Sequence, residues 1–369
     1  MAVKMGHLPA SSPELQPLSL RRGVVLDGQT GNLCEINSLQ RVSRFSHGFG
    51  ALEDSKAVYG ETKIEPLDSR WWFMATHFEL PFQQLFQLGV SHIDQHEQDA
   101  DKRSQCYSVM MTSLKHIKDK MFSDPASAFV AALQADPQRF IVSSSDLVPH
   151  LKHLRQRGTK LVVVSNGMPF MMQIVMQAAF GDLWESLFDL MVSRSWKPGF
   201  FVKADARPRS FLHPESQAPL CLSSCGLSLV YQGNDIEMLE FINPKDPSHE
   251  SRPSLFVGDS VEFDVVAASC TGRWQAAAIV EEVLGLEAEP RCHPLVAAPS
   301  GFSHMCCPPS HPRHASSLSQ CLFNFFELYR LGDNLELSWW GHNLQEHAVC
   351  VCSSVAELLQ KGSGLSSPN

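Results

Sequence analysis

Two carboxylates follow a short apolar run in the second half of the chain. Residues 255–264 read LFVGDSVEFD: the run ends at Gly258 and Asp259, and Asp264 follows five positions later. The run has strand character, and the glycine allows a sharp turn. Open α/β sheets bind ligands beyond the carboxyl ends of their strands, and Mg²⁺ takes one or two carboxylates together with substrate phosphate. The pattern therefore indicates a Mg²⁺ site at Asp259 and Asp264, with an acidic turn that binds nothing as the alternative.

Polar side chains also follow two other predicted strands. Ser165 and Asn166 end a buried apolar run that begins at residue 159, and Lys197 lies just beyond another run over residues 188–193. A serine hydroxyl can hydrogen-bond phosphoryl oxygens, and a lysine can neutralise their charge. Taken singly, Ser165 could simply begin a turn and Lys197 could be a solvated loop residue. Together with the two carboxylates, they indicate a phosphate site.

The elements that must position these side chains alternate along the chain. Helical patterns over residues 147–157 and 168–180 separate the first strands, and further strands are predicted over residues 254–257 and 274–280. Strands that alternate with helices are typical of a parallel sheet in an α/β fold. In such a sheet the carboxyl ends of the strands share one edge, so we expect the polar side chains to lie there together.

Composition shifts divide the chain into segments. The first residues and those near 286–320 are rich in Pro and Ser, whereas residues 71–140 place apolar residues three and four positions apart. The predicted organisation is a flexible leader (1–20), a hairpin joining core and cap (21–44), a mostly helical cap (45–140), an α/β core (141–284) with a surface insertion at about 203–242, a disordered linker (285–320), and a C-terminal tail that could add helices (321–369).

Overall composition excludes several classes of protein. The 369 residues carry a net charge of −9 without basic clusters, which argues against nucleic acid as a partner. No run of about 18 apolar residues and no signal-peptide pattern occurs, so we expect no membrane segment and a cytoplasmic location. The 11 cysteines are then expected to be reduced thiols.

Several segments, taken in order, resemble a known family. They are residues 22–27 (RGVVLD), 31–33 (GNL), 46–49 (SHGF), 161–166 (LVVVSN), 197–201 (KPGFF), 230–233 (VYQG), 257–264 (VGDSVEFD), 272–274 (GRW) and Glu281. This series is similar to the haloacid dehalogenase superfamily of phosphohydrolases, and within it to the cytosolic purine 5'-nucleotidase family, over about residues 21–284. The resemblance implies a Rossmann-like parallel-sheet core with a mostly helical cap.

The resemblance also implies roles for the residues at matching positions. Ser165 would hold the phosphoryl group with Asn166 beside it, and Lys197 would steady the phosphoryl oxygens. Asp259 would bind Mg²⁺, with Asp264 as the second acidic residue of that motif. The implied reaction is Mg²⁺-dependent hydrolysis of purine nucleoside 5'-monophosphates or another small phosphomonoester. Homo-oligomers are known among the relatives.

One part of the family pattern is not matched. The family's Asp-x-Asp-x-Thr segment supplies the nucleophile, the proton donor and a central strand, and it would precede Arg22, yet no Asp occurs between Met1 and Leu26. Asp27 could substitute as nucleophile, but Gln29 would then stand in the acid–base position and cannot exchange a proton. We therefore expect slow turnover. The alternative is an inactive pseudoenzyme, or a truncated isoform, that acts by binding or by association with relatives.

Other candidate sites are weaker. His304, Cys306, Cys307, His311 and His314 could hold zinc, but their spacing does not match the usual ligand patterns. His47 could help to position the cap or could be a turn residue without catalytic duty.

Overall fold

The computed structural model describes residues 22–65, 68–202, 209–222, 229–244, 254–280, 329–331, 334–336 and 338–364. These residues fall into two compact units. The first contains described residues within 22–119 and 329–346, and the second those within 120–280 and 347–364. The chain mixes helices with several sheets, in agreement with the α/β class. The division between the two units falls at residue 119.

The strands are short and are numbered in chain order. They are β1 (Val25–Asp27), β2 (Asn32–Ile36), β3 (Val42–His47), β4 (Leu52–Asp54), β5 (Trp71–Phe73), β6 (Val162–Val164), β7 (Leu190–Ser193), β8 (Phe211–Leu212), β9 (Pro219–Leu220), β10 (Leu229–Gln232), β11 (Leu255–Gly258), β12 (Gln275–Ile279), β13 (Tyr329–Leu331), β14 (Asn334–Glu336) and β15 (Ala348–Cys352).

The α-helices lie between these strands and after them. They are α1 (Leu80–His96), α2 (Ala100–Ser123), α3 (Ala128–Ala135), α4 (Val148–Gln156), α5 (Pro169–Phe180), α6 (Trp184–Leu187), α7 (Asp235–Ile242), α8 (Ala267–Ser269), α9 (Trp339–His347) and α10 (Val355–Gly364). A π-helical turn, Val261–Val266, directly precedes α8.

The first unit is built on an antiparallel sheet. Its strand order is β4-β3-β2-β1-β5, and the predicted hairpin forms its centre, with Asp27 opposite Asn32. Trp71 and Trp72 on β5 are 4% and 6% exposed and belong to the core. The segment predicted to be mostly helical thus also supplies strands. The sequence did not reveal β4 and β5 because each has only three residues, too few to show an alternating pattern.

The second unit contains the predicted parallel strands, in two separate sheets. The first has the order β6-β7-β10-β8-β9 and is parallel across β6, β7 and β10; the second is parallel throughout, in the order β11-β12-β15. The sequence placed β15 in a C-terminal tail because its sheet partner lies far away along the chain. The cysteines of β15, Cys350 and Cys352, are buried.

Strands β6 and β11 each have one open edge within the described ranges. β6 pairs with β7 alone, and β11 pairs with β12 alone. All four residues of β7 are buried, whereas β6 is only half-buried and Leu255 and Val257 of β11 are 41% and 38% exposed. A strand with one neighbour leaves part of its backbone without ladder partners.

Some predictions concern residues that the structure does not describe. The leader (1–20), the linker (285–320) and the His304–His314 cluster lie outside the described ranges. Among the helices that can be examined, none has the length and apolarity needed to cross a bilayer.

Candidate phosphate site

Lys197 connects the two parallel sheets of the second unit. Its Nζ atom lies 3.1 Å from the carbonyl oxygen of Val164, the last residue of β6, and 2.6 Å from Oδ1 of Asp264 in the π-helical turn after β11. The Lys197 side chain is 12% exposed. An ammonium group has three protons to donate. Two of them go to Val164 and Asp264, and the third has no acceptor among the described residues.

The end of β6 presents a serine hydroxyl beside this lysine. Ser165 Oγ accepts a hydrogen bond from the backbone N–H of Gly167 at 3.0 Å, and its own proton has no acceptor among the described residues. The hydroxyl can therefore donate to an incoming oxygen. Asn166 differs, because both ends of its amide bind the lysine loop: Oδ1 accepts from Ser195 Oγ at 2.9 Å and from the Lys197 N–H at 2.7 Å, while Nδ2 donates to the Lys197 carbonyl at 3.0 Å. Asn166 thus positions the lysine loop.

The loop that carries Lys197 has an uncommon backbone. Arg194 and Trp196 adopt positive φ angles of 44° and 61°, a region that disfavours residues with a side chain. Hydrogen bonds hold it in place: the Arg194 N–H donates to the Gly167 carbonyl at 2.8 Å, and the Ser195 N–H donates to the Ser165 carbonyl at 2.9 Å. Strained backbone that its surroundings hold firmly is common at functional sites. Sequence reasoning missed Ser195, whose hydroxyl donates to Asn166. Its position two residues before Lys197 could have indicated that it supports the lysine loop.

Asp264 is a buried partner of the lysine. The residue is 3% exposed, and its Oδ2 atom accepts from the Ser260 N–H at 3.3 Å. Burial raises the pKa of the Asp264 carboxyl, and the nearby charge of Asp259 adds to this effect, while Lys197 opposes it. Gly258 makes room for the carboxylate, since a Cβ atom there would lie 2.4 Å from Asp264 Oδ2. The glycine of this sequence motif is therefore a packing requirement.

Asp259 is the carboxylate that faces solvent at this edge. Mg²⁺ keeps several waters and is commonly bound through one or two carboxylates plus phosphate oxygens. Asp259 can supply such a carboxylate, whereas Asp264 already accepts hydrogen bonds on both of its oxygens. The described residues contain no group of three or more metal-ligating side chains. The residues present thus suit a cation shared with a bound phosphate.

Asp27 lies in the first unit, in surroundings of a different kind. It is 0% exposed, and its oxygens accept hydrogen bonds from Arg70 at 2.8 and 2.6 Å and from the Gln29 N–H, Thr30 Oγ1 and Tyr59 OH at 2.9, 2.7 and 2.9 Å. Burial alone would raise the pKa of Asp27, but the hydrogen bonds from Arg70, Gln29 and Thr30 hold it below the ordinary value. Such a carboxylate is structural. Its geometry argues against the substitute nucleophile considered from the sequence.

Comparison with known proteins gives a consistent result. A family model described as the 5' nucleotidase family matches residues 11–292. The 5'-nucleotidase domain-containing protein 1 of Homo sapiens is 22% identical over 280 residues, which are 72% of this chain and 61% of that protein. The Bos taurus protein of the same name is 22% identical over 278 residues, with the same two shares. A 5'-nucleotidase domain-containing protein of Dictyostelium discoideum is 23% identical over 290 residues, 73% of this chain and 46% of its own length. The chain thus spans less than two thirds of the length of these relatives.

Proposed function

The chain belongs to the 5' nucleotidase family, and on that premise we propose that the cluster of Ser165, Lys197 and Asp259 binds the phosphate of a nucleoside 5'-monophosphate. The observation that carries this proposal is the bridging position of Lys197, which leaves one ammonium proton at the carboxyl edge of two parallel sheets. Ligands of α/β sheets bind at that edge. A purine nucleotide is the substrate class that the family resemblance favours.

Each residue of the site has its own role in binding the phosphate. Ser165 donates its hydroxyl proton to one phosphoryl oxygen, and Lys197 donates its remaining proton to another. Asp264 and Asn166 hold the lysine in place. Asp259 would hold Mg²⁺, which when bound neutralises phosphate charge and polarises the phosphoryl group.

Hydrolysis needs two groups that binding does not. The family reaction proceeds through an attacking aspartate and a second aspartate that transfers protons. Asp27 is buried and saturated with hydrogen bonds, and Asp264 is committed to Lys197. We therefore propose that this chain binds nucleotide and that, if it is a phosphohydrolase, its turnover is slow. The second candidate function is a nucleotide-binding protein without catalysis, and the saturated state of Asp27 favours it.

Phosphate release distinguishes these two functions. The purified chain is incubated with IMP, GMP or an aryl phosphate in the presence of Mg²⁺, next to Lys197→Met and Asp259→Asn variants. Lys152→Met serves as the control, because Lys152 is an exposed lysine of α4. Release that needs Mg²⁺ and is lost in both site variants would establish the phosphohydrolase. If the wild-type chain is folded and binds nucleotide but releases no more phosphate than the Lys197→Met variant, the protein binds nucleotide without hydrolysing it.

A further inference from the structure

The first unit contains a polar cavity that the proposed function does not use. Its volume is about 370 Å³, within the range of small-molecule pockets. The walls come from the turn between β1 and β2, from the end of β3, from α1 and from the first turns of α2. The side chains that decide its chemistry are Gln29, His47, Asp94, Arg103, Ser104 and Tyr107.

A chain of hydrogen bonds fixes the protons of His47. The carboxylate of Asp27 must receive the Tyr59 proton, so Tyr59 OH accepts from Asn32 Nδ2 at 3.0 Å. The carbonyl oxygen of the Asn32 amide therefore faces His47 Nδ1, at 2.8 Å. A carbonyl oxygen can only accept, so Nδ1 carries a proton.

The other ring nitrogen of His47 faces a carboxylate. His47 Nε2 lies 2.9 Å from Asp94 Oδ2, while Tyr107 OH donates to Asp94 Oδ1. Burial raises the pKa of Tyr107, and the hydrogen bond to Asp94 raises it further, so the phenol keeps its proton. His47 on β3 and Tyr107 on α2 therefore contact the two carboxylate oxygens of Asp94 on α1.

The Arg103 guanidinium forms no ion pair with a carboxylate of the described residues. Its one hydrogen bond is a long contact of 3.5 Å from Nη1 to the Glu97 carbonyl oxygen. The Ser104 hydroxyl and the Gln29 side-chain amide, which also line the cavity, make no hydrogen bond within the described part of the chain. A guanidinium fork, a hydroxyl and an amide are therefore available as donors around the cavity. A guanidinium binds phosphate and carboxylate groups through paired hydrogen bonds.

We propose that this cavity binds a small molecule through an oxyanion group, phosphate or carboxylate, with Arg103 and Ser104 as its principal donors. The His47, Asp94 and Tyr107 group forms the wall that holds β3 and α1 against α2. The cavity is lined by residues of the first unit and the Lys197 cluster belongs to the second, so the two proposals rest on different residues and can fail independently.

The test uses isothermal titration calorimetry on the full chain carrying Lys197→Met, which removes phosphate binding at the other site. The probes are inorganic phosphate and succinate, so that the two arms distinguish phosphate from carboxylate. The variants Arg103→Gln and Ser104→Ala are compared with Lys102→Gln, a change at the neighbouring exposed lysine.

We expect at least one probe to bind. Arg103→Gln should weaken that binding at least tenfold, Ser104→Ala should weaken it severalfold, and Lys102→Gln should leave it within twofold. The absence of binding by either probe would overturn the proposal. So would equal binding by Arg103→Gln and Lys102→Gln, since the anion would then lie elsewhere. Unchanged unfolding temperatures show that the variants are folded, and Ser104→Ala tests the site with the least disturbance.

Discussion

Asp27 and Asp264 are both buried, but their surroundings shift their pKa values in opposite directions. Asp27 is surrounded by donors, which hold its pKa low, whereas burial dominates at Asp264 and raises its pKa. The sequence indicated Asp259, Asp264 and Lys197 because their spacing after strands is regular. It did not show that Asp264 forms an ion pair with Lys197, or that Asp27 accepts hydrogen bonds from Arg70 and Tyr59. Those facts depend on side chains that lie far apart along the chain.

Replacing Asp27 should reduce stability at neutral pH. Asp27→Asn leaves the Arg70 guanidinium, which is 23% exposed, without its carboxylate. Breaking such a pair costs about 3 kcal/mol of the free energy of unfolding. Urea titration measures the loss, with the exposed Asp119→Asn as control. A loss below about 0.5 kcal/mol would show that the pair is not structural.

The same pair gives a pH dependence whose sign can be worked out. The pKa of Asp27 is lower in the folded chain than the ordinary 3.8 of the unfolded chain. Its stabilisation is therefore fully present above pH 3.8 and is lost as the pH falls through the lower folded-state value. Urea titrations at several pH values should show the difference between wild type and Asp27→Asn shrinking only below about pH 4. A difference that stays constant down to pH 2 would contradict this account.

Gly258 should not tolerate a methyl group. In Gly258→Ala the new Cβ atom would lie 2.4 Å from Asp264 Oδ2, and Asp264 would have to move away from Lys197. Overpacking of this kind costs about 1–3 kcal/mol. Urea unfolding measures the cost, and weaker nucleotide binding should accompany it. Unchanged stability and binding would mean that the close approach has no role in the site.

At the scale of elements, local patterns were predictable and long-range pairings were not. The strands at β6, β7, β11 and β12 and the hairpin of β1 and β2 were all indicated by the sequence. β15 was missed because its pairing with β12 joins distant segments. Among the described residues, β6 and β11 each have an open edge, and these edges are the part of the parallel strands with the fewest backbone partners.

Hydrogen exchange should reveal these edges. Strands β7 and β12 have neighbours on both sides, while β6 and β11 have one each among the described residues. Amides without a ladder partner open to solvent more readily. Peptides that cover β6 and β11 should therefore exchange faster than peptides that cover β7 and β12. Equal protection of all four strands would show that the open edges are covered in solution.

At the scale of the whole molecule, family membership and activity rest on different observations. The family match extends over residues 11–292 and so includes described parts of both units. The cluster of Lys197, Ser165 and Asp259 lies within the second unit alone. The proposed phosphate site can therefore be tested apart from hydrolysis. Nucleotide affinity is the property that tests the central proposal directly, because it does not depend on an attacking residue.

The decisive measurement is the affinity for GMP by isothermal titration calorimetry in the presence of Mg²⁺. Lys197 makes a charged hydrogen bond to phosphate in our account, and such bonds contribute about 1.5–3 kcal/mol. Lys197→Met should therefore bind GMP about 10- to 100-fold more weakly than wild type, while Lys152→Met should match wild type. Equal affinities for wild type and a folded Lys197→Met variant would contradict the assignment of the phosphate site.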